Sequence, residues 1–320
     1  LSFKPDFVWI KSRSNSQNNY LYDAVRGASK QIYSDTNNAE NTDTGGVNAF
    51  NSDGFTIGSS GENANGYSQV AWTWKANGSG SSNTVGSINS TVSANTTSGF
   101  SIVKYTGTQS AGTIGHGLGI APKMIFLKNL AIADEWLAGA NGGSVDFTTY
   151  AYLNLTNAFS GNASAFFNDT NPTSTLFSVG NSANINKNGS AIIAYCFSNV
   201  QGFSKIGSYK GNGNNNGSFT YLGFKPAFLI VKRTDTGNSW YMYTGKTSTS
   251  GGNLTDKYLE ANATAAEATT TGEYGFNFLS NGFKATGTGG GTNNSSGTYI
   301  YLAFAESPLV TSTGIPATAR

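Results

Sequence analysis

With one cysteine and one histidine, this chain can build neither an intrachain disulfide nor a His/Cys zinc site of its own. Charge is equally sparse. The 19 basic and 17 acidic residues make up 11% of the chain and leave a net charge of +2, without any Lys/Arg run that could track phosphates or anionic lipid. Nucleic-acid partners are therefore not expected. No window approaches 18 consecutive apolar residues, so membrane insertion by a helix is not expected either. Acidic pairs fit no acid/base role. Asp134 and Glu135 are neighbours that a strand would turn to opposite faces, and Glu267 with Glu273 has no fixed geometry. His116 in IGHGLG reads as a turn residue and Cys196 as a buried structural thiol, with no basic group beside it to activate it. No cofactor, no metal and no catalytic residues are expected.

Six prolines stand against 41 glycines, and that imbalance introduces what is present. Short runs rich in Val, Ile, Tyr, Phe, Trp and Thr alternate with Gly/Asn/Ser clusters, the punctuation of an all-β chain. Hydrophobic residues reach 38% and aromatics 13%, enough for real cores. One phrase also recurs: FKPDFVWIKSR near the start, GIAPKMIFLKNL at 119–130 and GFKPAFLIVKRT at 223–234. Pro5, Pro122 and Pro226 align, as do the five residues ending at Lys11, Lys128 and Lys232. Eight or nine residues later comes an aromatic, Tyr20, Trp136 or Trp240. Later strands repeat as well: NSDGFTIG, STLFSVG and LSNGFKATG, then YSQVAWTWK, SAIIAYCFS and TYIYLAFAE, with Ala71-Trp72, Ala194-Tyr195 and Ala303-Phe304 matched.

A spacing of 117 and then 104 residues between the aligned prolines is too long for a solenoid and suits whole domains. The expected fold is all-β, with tandem antiparallel β-sandwich domains (jelly-roll or concanavalin-like) in three related copies. Copy 1 spans 1–80, a linker 81–98, copy 2 99–200, copy 3 201–308 and a C-terminal tail 309–320. The linker's later half alternates through Ile88 and Val92 and could pair as a strand. TAAEATTTGE at 264–273 is the best candidate for a short helix. Copies 2 and 3 open with matching strands, at 99–119 and 202–223, that copy 1 lacks. The expectation is that the parent protein continues upstream of Leu1 or that another chain supplies them.

The motifs KPDFVWIKSR, SINSTVSANTTSGFSIVKYTGT, GHGLGIAPKMIFLKN and LAFAESPLVTSTGIPATAR together resemble the repeated β domain of tail-fibre and tail-associated virion proteins of marine bacteriophages. The resemblance spans essentially the whole chain. It implies a place on a virion, at the tail, a fibre or another exposed surface. It also implies other virion subunits as partners and the homotrimeric assembly usual for such fibres, and it carries over no catalytic or binding residues. YDAVRGA at 22–28, a motif such copies often show, is present only in copy 1, so any role of Asp23 and Arg26 belongs there.

Two functions follow as expectations. The first is non-enzymatic attachment to a host surface, most simply a glycan, through aromatic faces and amides on loops. Its candidate contacts are Tyr20, Tyr22, Trp240, Tyr241, Asn214 and Asn215, in SQNNYLY, TGNSWYMY and KGNGNNNGS. The second is a decorating or spacing role on capsid or tail without receptor contact. Exposed loop aromatics would favour the first, and aromatics buried between subunits the second. Asn-X-Ser/Thr triplets, Asn154 and Asn262 among them, read as uncharged solubilising surface.

Overall fold

Strand-forming runs separated by turn residues fold as their composition dictates. The computed structural model describes residues 1–247, 253–270 and 272–306, and almost every element in it is a β-strand. The first unit holds β1 (Phe7–Ser12), β2 (Asn19–Asp23), β3 (Lys30–Tyr33), β4 (Asn41–Thr42), β5 (Val47–Asn51), β6 (Gly54–Ile57) and β7 (Gln69–Trp74). The stretch expected as a linker carries β8 (Ser81–Asn83) and β9 (Ser90–Asn95). The second unit follows with β10 (Phe100–Thr106), β11 (Gly112–Gly115), β12 (Met124–Asn129), β13 (Leu137–Ala140), β14 (Thr149–Tyr152) and β15 (Ser160–Gly161). It ends with α1 (Ser164–Phe167), β16 (Leu176–Val179), α2 (Ala183–Asn186) and β17 (Ala191–Phe197). The third holds β18 (Ser204–Lys210), β19 (Phe219–Tyr221), β20 (Pro226–Arg233), β21 (Trp240–Thr244), β22 (Leu254–Thr255) and β23 (Lys257–Glu260). It closes with β24 (Ala268–Thr269), β25 (Phe276–Leu279), β26 (Gly282–Ala285) and β27 (Thr298–Ala305).

The three large sheets share one strand order. From one edge they run β4-β3-β2-β1-β7, then β15-β14-β13-β12-β17-β10-β9-β8, then β24-β23-β21-β20-β27-β18. All pairings in these sheets are antiparallel. Each large sheet is backed by a small one: β5-β6, β11-β16 or β19-β26-β25-β22. Alternation along the central strands explains why both faces are buried. Phe7 and Trp9, Met124 and Phe126, and Phe228 and Ile230 all enter one common core, whereas Val8/Ile10, Ile125/Leu127 and Leu229/Val231 enter three separate ones under the small sheets.

The common core is the feature that independent tandem sandwiches would not have. Phe7, Trp74, Phe100, Phe197, Phe228 and Phe304 meet in it from all three large sheets, with Trp74 lying 5.2 Å from Phe7, 6.0 Å from Phe228 and 5.6 Å from Phe304 between ring centroids. Each such aromatic pair adds roughly 0.5–1.5 kcal/mol beyond its buried area.

Two local expectations are corrected. Residues 264–270 form no helix: the Glu267 N–H donates to the Arg13 carbonyl at 2.9 Å, its carboxylate pairs with Arg13 at 2.7 Å, and β24 follows. Bonds to the first unit outcompete a weak helical preference, because tertiary contacts override propensity. Register also shifts two alignments. Lys11, Lys128 and Lys232 lie opposite Asn19, Trp136 and Trp240, so Asn19, not Tyr20, occupies the tryptophan position. Tyr195 stands opposite Phe126 as Leu302 stands opposite Ile230, so Tyr301-Leu302, not Ala303-Phe304, matches Ala194-Tyr195. The tail at 309–320 lies outside the described residues.

Candidate functional site

Lys11, Lys128 and Lys232 end the central strand of each large sheet and are fully buried. Each reaches the backbone of another unit. Lys128 Nζ donates to the Asn37 carbonyl at 3.2 Å, Lys232 Nζ to Thr156 at 3.0 Å, and Lys11 Nζ to Ala263 at 3.2 Å and Thr264 at 2.8 Å. Each also caps its own loop six residues on, at Gln17, Asp134 (2.8 Å) or Asn238 (2.6 Å). Burial pushes Lys11 and Lys128 down to about 8, against the pull of Asp35 and Glu260 on the first and Asp134 and Glu135 on the second. Lys232 falls to about 7 by burial.

The residue opposite each lysine makes a second bond across the same junction. Trp136 Nε1 donates to the Tyr33 carbonyl at 2.7 Å, Trp240 Nε1 to Tyr152 at 2.9 Å, and Asn19 Nδ2 to Glu260 at 3.1 Å and Ala263 at 3.0 Å. The backbone N–H of each of these residues is held by an Asp or Asn side chain: Asn154 for Trp136, Asn262 for Trp240 and Asp35 for Asn19. A third bond repeats too, from Glu40 to Leu130, Phe159 to Thr234 and Glu267 to Arg13. Second unit binds first, third binds second and first binds third, so the ring closes. Asn154 and Asn262 are thus junction residues and not solubilising surface.

The junction of the first and second units carries an additional clamp. Arg26 is buried against Asp23, donates to Glu40 at 3.2 Å and to the Leu21 carbonyl at 3.0 Å, and lies 3.4 Å from the Tyr195 hydroxyl, which itself donates to Asp23 at 2.7 Å. The YDAVRGA motif is a structural fastening to the second sheet. Another buried cluster sits between β2, β3 and the small first sheet. There Tyr22 and Gln31 donate to Glu62 Oε1, while Glu62 Oε2 has no partner and burial raises the Glu62 carboxyl.

Four of the six expected ligand contacts are spent on packing. Tyr22 and Trp240 are fully buried in the bonds just described. Tyr20 packs edge-on against Tyr33, and Tyr241 stacks on Tyr274 at 5.3 Å. None presents a face to a ligand, because adjacent strands and small sheets cover both sides of these strands. Asn214 and Asn215 alone stay exposed, at the tip of the β18–β19 loop, where Asn212 Oδ1 accepts the Asn214 N–H at 3.0 Å. His116 is a buried turn residue: Nδ1 accepts the Leu118 N–H at 3.2 Å and Nε2 faces the Thr173 carbonyl at 3.2 Å. Burial raises the Cys196 thiol to about 12, which leaves it inert at neutral pH. Among the described residues no group of three or more His, Cys, Asp or Glu could hold a metal.

An open groove of about 480 Å³ lies between β18 and β19, lined by Gly142, Lys205, Gly207, Ser208, Thr220 and Tyr301, with Phe219 and Tyr221 on its rim at 47% and 55% exposure. Lys205 Nζ donates to the Tyr221 carbonyl at 2.8 Å and lies over its ring. A Cβ on Gly207 would sit 2.5 Å from the Tyr301 hydroxyl, so glycine is what lets the Tyr301 ring lie across β18 at that wall. No sequence signal marked Phe219 and Tyr221, since strand aromatics read as core until their neighbours are known.

One family model matches residues 1–308, and its description is a domain of unknown function, DUF7483. No curated protein and no solved structure matches the chain.

Proposed function

Since the chain belongs to the DUF7483 family of domains of unknown function, we propose, from the resemblance of its motifs to virion tail proteins and from the way its sheets pack, that it is a non-enzymatic structural module of a virus particle, one chain supplying the three-sided packing that three fibre subunits would otherwise share. The observation that carries this reading is ring closure, in which the Lys11 ammonium is bonded to carbonyls 252 and 253 residues away. The three buried lysines and Arg26 are satisfied by backbone carbonyls or by acidic partners, which suits rigidity. Aromatics are concentrated between the sheets of this one chain, which leaves few of their faces for ligand capture. In this reading the three-sided core needs no homotrimer, and the partners are neighbouring virion subunits.

Host-surface attachment is the second reading, favoured by the exposed Asn214–Asn215 loop tip above the open groove. Immunogold electron microscopy with antibody against this chain separates the two on particles carrying it. Label along the tail or over the capsid is expected for a structural module. Label confined to fibre tips would shift the choice to attachment, and particles that take no label would overturn the virion reading.

A further inference from the structure

The groove between β18 and β19 has a counterpart in the second unit, between β10 and β11, and that counterpart is filled. β10 and β18 occupy the same place in their sheets, as neighbours of β17 and β27, and β11 and β19 both enter the small sheet behind. In the second unit β9 pairs antiparallel with β10, Val92 opposite Val103. Ile88 bridges to Ile114 of β11, with its N–H donating to the Thr113 carbonyl at 3.0 Å. Ile88 and Val92 are buried by this insertion, so tightly that a Cβ on Gly112 would lie 2.8 Å from the Ile88 side chain.

In the third unit the described chain covers only the start of this edge, where Val200 pairs with Ser204 and Asn199 bonds Ile206, and no strand continues along β18 or bridges to β19. β18 ends its large sheet and β19 ends its small one. The turn before β18 spans only 198–203, too short to supply a strand, while Phe219 and Tyr221 stand exposed. Antiparallel alternation turns the N–H groups of Ile206, Ser208 and Lys210 away from β27. That of Ile206 is taken by the Asn199 side chain at 2.6 Å, and that of Ser208 faces the groove, whose wall here includes Gly142 of the second unit.

We propose that this groove is a β-augmentation site that takes an extended, uncharged partner strand rich in Ser, Thr and Asn, antiparallel to β18, with two aliphatic side chains four residues apart. The occupant's chemistry is read from residues 87–95, SINSTVSAN, which fill the equivalent groove and carry no charge. Gly207 takes the place of Val103, and the Tyr301 ring lies across it, so the second aliphatic residue would pack against Tyr301. Lys205, tied to Tyr221, marks one end of the site and blocks pairing beyond it, a usual protection of a sheet edge. The inference deepens the assembly reading by naming how a neighbour would be joined, yet it stands on the groove alone and survives if no virion takes label.

The probe is a fluorescent peptide of sequence VGSINSTVSANT, residues 85–96, titrated against the full chain. Saturable binding is expected, weakened at least tenfold when the peptide's Ile and Val are replaced by Asp. On the protein, Ser208→Pro removes the groove-facing N–H without touching the β27 ladder, and Tyr221→Ala removes an exposed rim; each should weaken binding at least tenfold with an unchanged thermal midpoint. Absence of saturable binding, or binding that Ser208→Pro leaves unaltered, would overturn the assignment. If Ser208→Pro fails to fold, Tyr221→Ala decides by the same criterion.

Discussion

The Lys11 ammonium donates a 2.8 Å hydrogen bond to the carbonyl of Thr264, 253 residues further along the chain. Lys128 with Asn37 and Lys232 with Thr156 form the same bond at the other two junctions. Three buried ammonium groups in dry surroundings cost solvation that only full hydrogen bonding can offset. Their partners are backbone carbonyls, which cannot ionise, so the lysines act as fixed donors to several carbonyls and not as members of ion pairs.

Replacing one of these lysines tests that account. In Lys232→Met the methylene stem is conserved, while the Thr156 and Asn238 carbonyls lose a donor. A buried unsatisfied acceptor costs about 1–3 kcal/mol, partly offset by no longer burying a charge. Urea unfolding should show a net loss of about 1–3 kcal/mol, with similar losses for Lys11→Met and Lys128→Met. A variant more stable than the parent would mean that charge burial outweighs the junction bonds.

The pH dependence of stability has a defined direction. Lysines held near 7–8 when folded and 10.5 when unfolded bind fewer protons in the native state across that window, so stability rises as pH increases from about 7 toward 10. Above that the sign reverses. Burial raises the hydroxyls of Tyr105, Tyr195 and Tyr243 and the Cys196 thiol, and these groups ionise first in the unfolded chain. Urea midpoints should therefore peak near pH 9–10. A midpoint that falls steadily from pH 7 to 9 would contradict the burial of the three ammonium groups.

The Pro-to-Lys phrase was legible because its apolar run and terminal lysine recur at fixed spacing. It correctly located β1, β12 and β20 and, with the glycine-rich punctuation, the all-β class. The role of Asn19 is not legible in sequence because it shares no chemistry class with Trp136 and Trp240; only its amide N–H does the same work as an indole N–H. Trp240 and Tyr241 read as possible platforms because nothing in a strand's own sequence says how many layers will cover it. A one-residue slip in alignment also moved Tyr20 to the wrong face, as strand alternation requires.

The Arg26 clamp gives a sharper test of the first junction. Arg26→Ala would leave Asp23 buried with only the Tyr195 hydroxyl and backbone N–H groups as donors. Breaking a buried pair from one side typically costs 3–5 kcal/mol. Calorimetry should show a large drop in thermal midpoint for Arg26→Ala and a smaller one for Arg26→Ala with Asp23→Ala, because the double change removes the stranded charge. Equal losses in both would place the stabilisation in the guanidinium's carbonyl contact to Leu21 and not in the ion pair.

Glu62 supplies the opposite pH signature on the acid side. Burial raises its folded carboxyl above 4.5, so the stability it contributes is complete below that value and is lost as pH rises through the folded one. Glu62→Gln keeps an acceptor for Tyr22 and Gln31, and places an amide where Oε2 has no partner. At neutral pH the variant should be as stable as the parent or more so, with the gain disappearing as pH falls to the ordinary carboxylate range. Tyr22→Phe should instead destabilise by about 1–2 kcal/mol at neutral pH, because it removes a donor from a carboxylate that water cannot reach. Urea titrations of both variants at the two pH values decide it: a Glu62→Gln chain less stable than the parent at neutral pH would show that Glu62 is held ionised by its donors.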